Sequence, residues 1–256
     1  MSKTIYPEVN SLLDHLLATL QRILGSKLVS LYLGGSLVIG DFDIKRSDID
    51  LVAVVSSEID DKEFDDLKSM HHTLVNESPE WDDRIEVCYI TAEALGKVKS
   101  SSSQIVNISP GEPIHRKVSS IEWIMNWYLT REKAITLYGP KPTQIIELLT
   151  KDDFIQSVIS HVNSWDKWVS EIPKNTYAQS YVRLSLCRAL YSYKNGDQVS
   201  KIQAAKWVLK ELPKWSKVVN EALLWHEGPK HSPPDEAAFI DTKAFVDYIR
   251  KLILKP

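Results

Sequence analysis

Asp48 and Asp50 open an apolar run, "IDLVAVV", and eleven residues separate Asp48 from an upstream Gly34-Gly35-Ser36. Alternate residues of a strand share a face, so the two carboxylates would lie about 7 Å apart on one side. They repel each other unless something positive sits between them. Magnesium suits such a pair, because it takes oxygen ligands and keeps positions for water and phosphate. The glycine pair lets backbone N–H groups approach an anion closely. Ser36 falls where a helix N-cap would lie and adds a hydroxyl donor. Further on, Glu86 is the polar residue of "RIEVCYI". If that strand lies beside the aspartate strand, Glu86 joins the cluster as a metal ligand or as acceptor of a proton from an attacking hydroxyl. Each piece alone is weak: Asp-x-Asp is commonly a turn, and a strand glutamate commonly faces water. The ordered combination is what points to metal-assisted nucleotidyl or phosphoryl transfer on a triphosphate.

These residues need strands to carry them, and the apolar periodicity supplies candidates. Pro7 to Leu24 predicts a helix that Gly25 ends. Leu28 to Leu33 and Asp50 to Val55 read as strands. "DDKEFDDLKSMHHTLVNE" reads as a polar helix with a stripe at Phe64, Leu67, Met70 and Leu74. Arg84 to Ile90 is a third strand, with Ile85, Val87 and Tyr89 opposite Glu86. Gly96 to Gly111 is weakly patterned and is expected to be a loop or insert. From Ser119 onward the pattern is helical, beginning with one helix over "SIEWIMNWYLTREKAITLYG". Further helices are expected at Asp152 to Glu171, Ala178 to Lys194, Gln203 to Leu212, Lys217 to Trp225 and Thr242 to Leu254. The expected class is α+β: a mixed sheet with flanking helices over residues 1–145, then an all-helical domain over 146–256.

The totals limit the partners. A chain of 256 residues with net charge -3 lacks the basic bias of a duplex nucleic-acid binder, so nucleic acid is disfavoured. Two cysteines, Cys88 and Cys187, have no metal or disulfide spacing and read as buried thiols. The N-terminus lacks a signal-peptide pattern, and no apolar run is long enough to span a membrane. A cytoplasmic, monomeric protein is expected.

At this point the chain resembles a known family. Gly35, Ser36, Asp48, Asp50 and Glu86 match, one by one, the signature of the nucleotidyltransferase superfamily whose core is shared with DNA polymerase β. "REKAITLYGP" (Arg131 to Pro140) and "LCRALYSYKNGDQVSKIQAAKWVLKELP" (Leu186 to Pro213) are similar to the helical domain of aminoglycoside adenylyltransferases that act on streptomycin and spectinomycin. The resemblance covers nearly the whole chain, in order. It implies magnesium-dependent transfer of AMP from ATP to a hydroxyl of a small, cationic acceptor, with pyrophosphate released, and a role in antibiotic resistance. ATP with Mg2+ would bind between the two domains. Asp48, Asp50 and Glu86 would be the metal ligands, and Glu86 the base. Gly35, Ser36, Arg188 and Lys201 would contact the nucleotide.

From the residues alone, Arg188 is as well read as a structural ion pair in an apolar helix, and Lys201 as a solvated lysine. The chain also departs from the family within "KNTYAQSYVR". Ala178 stands where a substrate-binding aspartate is expected, and Tyr181 where an asparagine is. Glu171, Asp166 or Glu122 are candidates to replace the missing acid. Trp123, Trp127, Trp165 and Trp168 at helical spacing read as core before they read as ligand platforms. The acceptor therefore stays open between an aminoglycoside and a protein side chain, nucleic-acid end or metabolite. A non-catalytic, antitoxin-like partner is a third reading.

Overall fold

Six leucines and Val9 fall on one stripe of α1 (Pro7–Leu24), and six of those seven side chains are buried: Val9, Leu12, Leu13, Leu16, Leu20 and Leu24. The computed structural model describes residues 3–228 and 235–254, without the side chains of residues 166–168. Gly25 ends α1 with φ of 53°. β1 (Leu28–Leu33) follows, then the five-residue α2 (Gly35–Ile39) and β2 (Ile49–Val55). α3 (Asp61–Glu77) begins at a capping box between Asp60 and Glu63, which satisfies two otherwise orphaned backbone donors. It carries the crossover to β3 (Ile85–Thr91), which runs parallel to β2.

α4 (Ala92–Leu95) leads into a hairpin of β4 (Ser103–Ser109) and β5 (Glu112–Ser119). α5 (Ile124–Lys133), β6 (Ile135–Tyr138) and α6 (Pro142–Ile145) complete the first compact unit, Met1–Leu149. Among the described residues its sheet has six strands in the order β5-β4-β3-β2-β1-β6. Only the β2–β3 pair is parallel. One face packs on α1 and α3 through Leu33, Ile49, Leu51, Ala53, Val55, Val87 and Tyr89. Burying each large side chain there contributes about 1.5–3 kcal/mol. The alternate residues of the same strands form the other face, and Asp50 and Glu86 are among them.

Two expectations fail here. The stretch Gly96 to Gly111 is not a loop or insert: β4 runs through it, buried on both faces at Ile105 and Val106. A strand enclosed on both sides shows no alternation. The single helix expected over Ser120 to Gly139 is also corrected. It stops at Lys133, and Ile135–Tyr138 forms an edge strand on β1. β-branched Ile135 and Thr136 favour an extended chain once a partner strand is present.

The second unit, Thr150–Pro256, is helical. It contains α7 (Lys151–Val169), α8 (Thr176–Asn195), α9 (Lys201–Glu211), α10 (Ser216–His226) and α11 (Glu236–Leu254). α8 is central and packs against the other four. Trp165 is buried, as are Trp127 and both free cysteines. The side chains of Asp166 and Trp168 lie outside the described residues. No described helix is long and apolar enough to cross a membrane.

Candidate active site

The parallel register of β2 and β3 sets Asp50 directly beside Glu86. Asp48 lies two residues earlier, just ahead of β2, and its charge also bears on Glu86. The three carboxylates that the spacing singled out therefore gather at one end of the sheet. Their electrostatics show it. Burial pushes the Glu86 carboxyl up to about 7, with Asp50 and then Asp48 adding to the shift; Lys117 opposes it and Glu112 adds to it. A carboxylate held this high accepts a proton readily near neutral pH.

The glycine turn is built against Asp50. The Gly34 N–H donates to the Asp50 carbonyl at 2.8 Å. Gly35 has φ of 60°, and a Cβ there would lie 1.7 Å from Asp50 Oδ2. Glycine is required both by the backbone and by the closeness of the carboxylate. Gly35→Ala is accordingly expected to push Asp50 aside and lose most activity, with only a modest fall in Tm; a variant as active as the parent would sink this account. One detail departs from expectation. The N-cap of α2 is Gly34, and Ser36 is the second helical residue. The helix begins early because Gly35 can take the positive φ.

Arg84, which sequence reasoning passed over, fixes the aspartate loop. It is buried, and its Nε and Nη2 donate to the Ser47 carbonyl at 3.1 and 2.6 Å. Nη2 also reaches the Ile44 carbonyl at 2.9 Å, and Nη1 the Glu80 carbonyl at 3.0 Å. The guanidinium lies 4.6 Å from the Trp81 ring centroid. The Arg84 carbonyl accepts from Ile49 N at 2.8 Å, between the two aspartates. A basic residue two positions before a strand glutamate was the available signal. Arg84→Met should release residues 44–48 and lower kcat/KM about 10²-fold, the scale set by a small misplacement of reacting groups. An unchanged kcat/KM would remove this positioning role.

The oxygen donors fit magnesium. Among the described residues, no three His, Cys, Asp or Glu side chains are gathered tightly enough to hold a metal ion by themselves. Magnesium does not demand that: one or two carboxylates, with phosphate oxygens and water, complete its shell. Asp48 and Asp50 would be that pair, and Glu86, paired in register with Asp50, would lie beside them.

Arg188 and Lys201 belong to the second unit. Arg188 is half-buried on α8, and its charge adds to the burial that depresses His161 to about 4. Lys201 is the first residue of α9, behind the Ser200–Gln203 capping box. Its Nζ lies 4.0 Å from the ring centroid of Tyr181. The structure thus joins a cation expected on the nucleotide to the residue that departs from the family. Ala178 is partly exposed near the start of α8.

This strand order, glycine turn and carboxylate trio are those of a nucleotidyltransferase, and residues 13–123 match the model of the nucleotidyltransferase domain. Residues 144–251 match the C-terminal domain of aminoglycoside adenylyltransferase. The chain is an aminoglycoside adenylyltransferase-like member of the nucleotidyltransferase superfamily. Curated relatives include an aminoglycoside (3'') (9) adenylyltransferase of Shigella flexneri, 23% identical over all of this chain and 98% of that protein. One of Escherichia coli is also 23% identical, with the same coverage. The fold is that of spectinomycin adenyltransferase AAD(9) from Enterococcus faecialis, solved with ATP and spectinomycin. Its TM-score is 0.77 and its identity 15%, covering 96% of this chain and 99% of that one.

Proposed function

We propose that the enzyme transfers AMP from ATP to a hydroxyl of an aminoglycoside of the streptomycin or spectinomycin type, in the cytoplasm, and releases pyrophosphate. The observation that carries this reading is the Asp50–Glu86 register, with Glu86 pushed up to about 7 beside the two aspartates. Glu86 takes the proton of the acceptor hydroxyl as its oxygen attacks the α-phosphorus. Gly35 and Ser36 hold the phosphates, and Arg188 and Lys201 contribute cations to them. Magnesium on Asp48 and Asp50, with Glu86 as a third donor, would supply the positive charge that offsets the triphosphate. The relatives' names support the acceptor class, and an acidic site suits a polycation.

A second reading keeps the chemistry and changes the acceptor. It is favoured by Tyr181, 45% exposed and occupied by Lys201, where an uncharged amide is expected, and by Ala178 in place of an acid. Pyrophosphate release from ATP and magnesium, measured across streptomycin, spectinomycin and other aminoglycosides, decides between them. Turnover with one drug establishes the first reading. ATP binding without turnover on any drug overturns the acceptor while keeping the nucleotide site.

A further inference from the structure

α5 lies in the chain between β5 and β6, the two edge strands of the sheet. At its start Trp123 lies under Lys117, whose Nζ is 5.0 Å from the ring centroid. Lys117 is opposite Ile105, and His115 opposite Asn107, which is opposite Cys88; all of these share a face with Glu86. At its end α5 passes through Ala134 into Ile135, which pairs with Leu33, the residue before the glycine turn. Residues 121–133 span about 20 Å, close to the roughly 24 Å width of six strands. The buried aromatic and aliphatic side chains of α5, Ile124, Trp127 and Tyr128, take no part in the core under α1 and α3.

Arg131 stands in the last turn of this helix. Its Nε and Nη1 are enclosed and have no hydrogen-bond partner among the described residues. Arg131 as a whole is half-buried, but a guanidinium cannot shed its charge, so enclosing two of its nitrogens without a partner is unfavourable unless an anion answers them. Arg84 and Arg183 show the contrast, each wrapped by carbonyl or carboxylate oxygens. Along one end of the sheet the order is Glu86 on β3, Asp50 on β2, the glycine turn after β1, and the end of α5 leading into β6. The acceptor hydroxyl and α-phosphate belong at the Glu86–Asp50 side, so the remaining phosphates extend toward β1 and β6.

We propose that Arg131 is a phosphate-binding residue that holds the β- and γ-phosphate oxygens of the nucleotide, and pyrophosphate after transfer. This rests on the AMP-transfer reading above and gives a role to Arg131, the first residue of the "REKAITLYGP" stretch.

The test is titration of the full chain with magnesium and tripolyphosphate, ATP or AMP, in wild type, Arg131→Met and Arg131→Lys, with Tm measured without ligand. Arg131→Met should bind tripolyphosphate and ATP about 10–100-fold more weakly, as expected for lost charge-assisted hydrogen bonds. AMP should bind as to wild type, Arg131→Lys should recover part of the loss, and the ligand-free Tm should not fall. Unchanged affinity for tripolyphosphate and ATP, with or without a fall in Tm, overturns the assignment. So does an equal loss for AMP, or a wild type that binds no tripolyphosphate. Should Arg131→Met not fold, the guanidinium is structural and the assignment falls, unless folded Arg131→Lys shows the selective loss. Arg131-dependent tripolyphosphate binding in a wild type that transfers no AMP would instead remove the AMP-transfer reading alone.

Discussion

Glu86→Gln is expected to reduce pyrophosphate release by about 10²–10⁴-fold, the range of a positioned general base, while making the ligand-free protein more stable at pH 8. The two effects share one cause. Burial and the neighbouring Asp50 and Asp48 push the Glu86 carboxyl from 4.5 up to about 7. A folded-state pKa above the unfolded value means that the native protein holds its proton longer. Stability from this group is therefore fully present below pH 4.5 and is lost as pH rises through about 7. Glutamine stays neutral and avoids that loss. Because Glu86 keeps some solvent contact, the gain is discounted to about 1–3 kcal/mol at pH 8 without magnesium. It should vanish toward pH 4.5, and adding magnesium should narrow it by stabilising wild type. Chemical unfolding of both proteins at pH 5 and pH 8, with and without EDTA, checks this. A Glu86→Gln protein less stable than wild type at pH 8 would contradict the electrostatic account, even if inactive.

The same carboxylates explain why the site was more legible than the surrounding sheet. Asp50 and Glu86 interrupt apolar strands and Asp48 stands at the mouth of one, and such interruptions stand out against a period-two pattern. Strands β1, β2 and β3 were readable because their core faces alternate or run apolar, as α1 was from its leucines. β4 was not, since Ile105 and Val106 are both enclosed. β6 was not, because its identity as a strand comes from pairing with β1 rather than from its own four residues. The cap at Gly34 rather than Ser36 depends on a backbone angle at Gly35 that residue type permits but does not specify. The roles of Arg84 and Arg131 were illegible for a related reason. An arginine's letter does not say whether its guanidinium meets carbonyls, a carboxylate, water or an unfilled place for an anion.

Arg183 is the arginine whose loss should damage the fold most. Its side chain is fully enclosed on α8. Nε donates to Thr242 Oγ1 at 2.8 Å, and Nη2 to the Ala238 carbonyl at 2.7 Å, both on α11. Nη1 donates to the Val218 carbonyl at 3.1 Å and to Glu221 Oε2 at 2.9 Å, both on α10. The guanidinium lies 4.6 Å from the Trp225 ring centroid. Burial lowers its pKa, and Glu221, Asp241 and Asp235 pull it back up. One side chain thus ties three helices. Arg183→Met fills the volume but removes a donor from Thr242 and from two helix carbonyls and leaves Glu221 without its buried partner, so the second unit should lose about 3–5 kcal/mol. Glu221→Gln should cost less, because Glu221 is 28% exposed and water can take over part of its role. Arg131→Met, removing a guanidinium with no partner at two of its nitrogens, should cost nothing. Urea unfolding of the three variants orders them. Arg183→Met as stable as Arg131→Met would mean that the buried network contributes no net stability, and the helical unit would then rest on its apolar packing alone.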